Sequence, residues 1–153
     1  MRRIFTCLLL VVLGTKMAWA AMIKDEPRRF SPYSKTAIAI TGPVTLSTTR
    51  ISFENGTGLG LYETSSESPG SWGNSGNIPF AQVFRVSGKV GALRQGNTLC
   101  GDQSVTYLSA TKEESSDFEY LVVALFAGTD IPSGINDPSL CGIFSYAIED
   151  ARQ

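Results

Sequence analysis

The sequence predicts an all-β fold, a small antiparallel barrel or sandwich of about seven or eight strands with one disulfide. Three observations carry this. Short runs alternating apolar with polar recur along residues 36–149, and clusters of Gly, Pro, Asn and Ser separate them. Two cysteines, Cys100 and Cys141, remain once an N-terminal leader is set aside. Helix signals are weak, and the one sizeable helical stretch, 113–125, has a β-branched and aromatic content that favours strand.

The leader is read from the first twenty residues. Arg2 and Arg3 give a short positive start, 4–13 is an apolar run, and Ala18-Trp19-Ala20 supplies the small residues of a cleavage site. The run is shorter than the roughly 20 apolar residues of a permanent transmembrane helix. Residues 1–20 are therefore expected to be a signal peptide, although Arg2-Arg3-Ile4-Phe5 also echoes part of a twin-arginine signal. Cys7 lies inside the apolar run and leaves with it. Cleavage removes Arg2, Arg3 and Lys16, leaving 10 basic against 14 acidic residues and a net charge of −4. A mildly acidic chain without a basic stripe argues against a nucleic-acid partner. No second long apolar run follows, so no transmembrane segment is expected in the mature chain.

Export places Cys100 and Cys141 in an oxidising compartment, periplasmic or extracellular, where a bridge across 41 residues persists. The alternative, a metal pair, lacks ligands: the chain has no histidine, and a structural zinc usually takes four Cys/His ligands. No cofactor or metal is expected.

Residues 21–35 hold Lys24, Asp25, Glu26, Pro27, Arg28, Arg29, Pro32 and Lys35 and read as a flexible N-terminal arm. The single β domain then runs over 36–149. A β-type run at 37–40 precedes Gly42-Pro43, and 44–46 alternates. Ile51-Ser52-Phe53 meets Asn55-Gly56, both tolerant of positive φ, which predicts a hairpin returning through Leu59-Gly60-Leu61-Tyr62. The Ser/Gly-rich stretch 64–79 offers almost nothing to bury and reads as a long loop. Trp72 sits in its middle. It either folds back to plug a barrel mouth or stands exposed as a partner contact.

Residues 80–87 read as a strand with Phe80, Gln82, Phe84 and Val86 on one face and Ala81, Val83 and Arg85 on the other. A β run at 105–108 and a charged turn at 112–117 follow. The most apolar mature segment, 118–126, predicts a central strand buried on both faces. A second long loop, 128–140, leads to a final strand over 140–148.

Catalytic chemistry is sparse. Without histidine there is no Ser-His or Cys-His nucleophile, and the mature lysines Lys24, Lys35, Lys89 and Lys112 lie in termini or charged turns. Paired carboxylates can serve glycoside hydrolysis, but Glu54, Glu63, Glu67, Asp102, Glu119, Asp130 and Asp137 mostly flank turns. The glycines of 56–60 imitate a phosphate loop with no helix behind them, and 130–137 lacks the spacing of a calcium loop. Asn55-Gly56-Thr57 is a glycosylation acceptor only in a eukaryotic source.

Gly96-Asn97-Thr98-Leu99-Cys100-Gly101, taken with Leu140-Cys141-Gly142-Ile143-Phe144-Ser145-Tyr146, resembles small uncharacterised exported proteins of Gram-negative bacteria with paired Leu-Cys-Gly motifs. The stretch 42–56 looks similar too. The resemblance spans most of 36–149 and implies a periplasmic location and no known activity. In size, compartment and strand pattern the chain is also similar to periplasmic lysozyme inhibitors, which are disulfide-tied β-barrels. Their inhibitory motif of Ser-Gly and a following Tyr has no counterpart here.

The expected function is a non-catalytic exported binding or inhibitor module, acting through the 64–79 and 128–140 loops on a protein or small ligand of the cell envelope. A structural envelope protein and a carboxylate-dependent hydrolase of envelope polysaccharide are the alternatives.

Overall fold

Alternation at period two sends every second side chain to one side of a sheet, and a sheet that curls toward that side can close around them. The computed structural model of the chain describes residues 22–148. Its strands are β1 (Arg28–Pro32), β2 (Val44–Leu46), β3 (Arg50–Phe53) and β4 (Gly58–Trp72), then β5 (Ile78–Ser87), β6 (Tyr107–Glu114), β7 (Glu119–Phe126) and β8 (Leu140–Ala147). Each is antiparallel to its sequence neighbours, and β1 also pairs β8, so the sheet is a closed eight-stranded barrel. A sandwich is thereby excluded.

The alternating positions fill the interior. Leu46, Ile51, Leu59, Phe84, Leu108 and Phe144 belong to one buried cluster, with Leu121, Val123 and Leu125 of β7 at its centre. The void left among them is about 10 Å³, too small for a ligand. Eight strands give an interior that side chains can fill, and here they do. Thr41 Oγ1 and Tyr146 OH hydrogen-bond to each other within it at 2.8 Å. Burial holds the Tyr146 phenol above its ordinary range.

Both ends are closed. At one, a π-helical turn (Ala37–Thr41) and the 88–106 connection meet the β3–β4 turn, where Arg94 donates to Glu54 and to the Ile38 carbonyl. Leu99 enters the interior from this connection, and Cys100 is disulfide-bonded to Cys141 of β8, as the sequence predicts. At the opposite end Ile23 is buried, its N–H and C=O both held by the Gln82 amide at 2.6 and 3.1 Å.

Much of the expected order is present. The Asn55-Gly56 hairpin joins β3 to β4, with Gly56 at φ 81°. The expected strand 118–126 is β7 from Glu119 onward, buried on both faces from Leu121 to Phe126, with Phe118 outside it. Three expectations are corrected. Residues 37–40 are not a strand: their backbone bonds locally, Ala37 N–H to Ser34 Oγ and Gly42 N–H to the Ala37 carbonyl, as the chain reverses between β1 and β2. The expected flexible arm, 21–35, holds a strand within its described part: β1 (Arg28–Pro32) pairs β2 and β8, and its one fully buried side chain, Phe30, is masked in sequence by flanking charge and proline. The stretch 64–79 is not a loop, since most of it belongs to β4 and β5. The expected signal peptide, 1–20, and residue 149 lie outside the described residues. Among the described residues no helix is long and apolar enough to cross a membrane.

Candidate functional site

The long hairpin builds an apolar surface feature. β4 and β5 share the barrel ladder near their base, but β5 pairs β6 only from Gln82↔Ala110 to Arg85↔Tyr107. Beyond that point the hairpin leaves the barrel wall, and three register shifts along β4, between Glu63 and Trp72, bend it. It then lies back on the outer face of β5–β8. Trp72 is fully buried there with Ala81, Val83, Tyr107, Ala124 and Phe126, in a second cluster outside the barrel. Its ring meets Phe126 edge-on at 6.3 Å, and its Nε1 donates to the Ser68 carbonyl at 2.9 Å.

The two segments expected as binding loops hold each other. Ser71 N–H donates to Ser133 O at 3.2 Å, and Ile135 N–H donates to Ser71 O at 2.9 Å. The contact needs glycine: a Cβ on Gly70 would lie 2.1 Å from the Ser133 carbonyl oxygen, and one on Gly134 2.3 Å from that of Ser71. The hairpin tip is fixed as well, with Asn74 donating from its backbone to Glu113 Oε1 at 2.6 Å and from Nδ2 to Glu113 Oε2 at 3.1 Å. Tyr120 OH donates to the same Glu113, which raises the pKa of the phenol.

Trp72 is therefore not an exposed partner contact. Nor does it plug a barrel mouth: it is a wedge between hairpin and outer wall. Sequence offers little signal for this, because Trp72 is the only large apolar side chain between Tyr62 and Ile78.

Where the hairpin leaves β6 a half-open groove of about 390 Å³ remains. Its apolar lining comes from Met22, Ile78, Pro79, Phe80, Ala81 and Ala110. Phe80 is 44% exposed, a large ring left partly in water. Gln82 lines the groove while its amide holds Ile23 and donates to Glu63 at 3.0 Å. Thr111 lines it too; it is 4% exposed and its Oγ1 has no hydrogen-bond partner. The charged rim comprises Lys24, Lys112, Glu67 and Glu114. Lys112 is already paired with Glu119 at 2.7 Å, and that bond raises its pKa.

Asp137 accepts two hydrogen bonds from its near neighbour Ser139. The Ser139 hydroxyl and N–H, at 2.6 and 2.9 Å, lower its pKa, the opposite of what a general acid requires. Among the described residues no group of three or more His, Cys, Asp or Glu side chains is placed to hold a metal ion. Elsewhere on the surface Tyr33, Phe118 and Tyr120 pack ring against ring, with Tyr33 and Phe118 at 4.9 Å. The volume and apolar lining of the groove fall within the range of ligand-binding clefts. In comparisons with known proteins the chain matches no family model, no curated protein and no solved structure.

Proposed function

We propose that the protein is an exported, non-catalytic binding module whose capture surface is the groove beside the β4–β5 hairpin. The observation that carries this reading is an apolar groove of about 390 Å³, with Phe80 partly in water, on a barrel whose own interior is filled. The expected segment 64–79 keeps a role through Ser66, Glu67, Ile78 and Pro79, while 128–140 serves to hold the hairpin. Export agrees with the leader-like start and with the disulfide, which persists in an oxidising space.

The test is affinity capture from envelope extracts, comparing the wild-type protein with Phe80→Glu. That substitution puts a charge into the groove at an exposed position and leaves the barrel interior intact. Material retained by the wild type and released by the variant is the expected result. Equal retention by both, or none by either, retires the reading.

A further inference from the structure

We propose that the groove receives an extended peptide strand of a partner protein, laid between the free edges of β5 and β6. This rests on the groove being the capture surface and names what it captures.

The argument begins with backbone groups. Among the described residues, Ile78–Ala81 of β5 pair with β4 alone, and Thr111–Glu114 of β6 pair with β7 alone. Each of these stretches therefore has one edge with no ladder partner among the described residues, and both edges border the groove. A free strand edge is a template for another strand. An acyl chain or a sterol would cover the apolar lining but leave both rows of amides and carbonyls without partners once water is displaced. A peptide strand satisfies both rows, as in β-strand addition at other sheet edges.

Dimensions and chemistry agree. Four residues on each edge span about 13 Å at the usual strand rise, so the segment gripped is four or five residues long. Its side chains alternate, one set against Phe80 and Met22 and the other toward solvent. Thr111 Oγ1, buried and unpartnered beside this edge, offers one further hydrogen bond. With Lys112 engaged by Glu119, Glu67 and Glu114 outweigh Lys24 on the rim, which favours a basic side chain at one end of the peptide.

The test uses protein expressed from the full chain and recovered after export. It is panned against a displayed library of random seven-residue peptides, and the winners are resynthesised with and without N-methyl groups on alternate backbone nitrogens. Binding is measured by calorimetry, and amide exchange by NMR. The expected result is a winner that slows exchange at Ile78, Phe80 and Ala81 and at residues 111–114, and whose N-methylated form binds at least tenfold more weakly. Ser66→Trp, which fills the groove from an exposed position, should weaken the same peptide by a similar factor. Three results overturn the inference: winners that bind equally well when N-methylated, protection confined to other surfaces, or no winners at all. Concentration-dependent dimerisation through the same two edges also overturns it, in favour of a second copy of the chain. If any of these occurs while envelope capture still depends on Phe80, the strand proposal alone is lost and the groove keeps its role.

Discussion

Replacing Trp72 with alanine tests whether the long hairpin is docked structure. The indole is fully buried between hairpin and wall. An aromatic side chain of this kind buries about 150–250 Å², worth about 4–6 kcal/mol at about 25 cal/mol per Å². The unfolded chain already hides about 10–40% of such area, which brings the figure to about 2–5 kcal/mol. Loss of the Nε1 bond to Ser68 adds about 1 kcal/mol. The total is capped by the docking free energy of the hairpin, because an undocked hairpin has no further contact to lose. The expected loss on denaturant unfolding is thus about 2–4 kcal/mol. Native-state hydrogen exchange locates it: amides of 65–81 should exchange about 30- to 1,000-fold faster than in the wild type, and in the variant they should exchange faster than those of β7, which open only with the whole barrel. Trp72→Phe should recover most of the loss. A change below about 1 kcal/mol, or variant hairpin amides that still exchange as slowly as those of β7, would refute the reasoning.

Reducing the Cys100–Cys141 bond, which closes a span of 41 residues, should cost up to about 4 kcal/mol by the chain-entropy argument, read as the shift in urea midpoint with and without reductant. Gln82→Leu removes both bonds that hold Ile23 and should destabilise by about 1–3 kcal/mol, with Ile23 and Lys24 amides losing protection while β7 keeps its own. Asp137→Asn should flatten the acid limb of the stability profile. The folded carboxyl is held below its ordinary range, so its contribution is complete above about pH 4–5 and fades as pH falls through the folded pKa. Wild type and variant should therefore differ near neutrality and converge in acid, and parallel curves would remove Asp137 from the account.

The amino-acid sequence alone determined whatever depends on local pattern. Alternation at 44–46, 51–53 and 80–87 marks strands, Asn55-Gly56 marks a turn, and the apolar run 118–126 marks a strand buried on both faces, because neighbours along the chain decide each of these. Two cysteines without histidine likewise point to one bridge. Tertiary structure alone decided where isolated side chains go. Phe30 amid charge and Trp72 amid serine and glycine give no periodic signal, and each becomes structural only when a distant surface meets it: β8 and β2 around the first, the outer wall of β5–β8 around the second. The groove exists for the same reason. It lies where a strand stops pairing with its neighbour, and no residue of β5 or β6 carries a mark of where its partner ends.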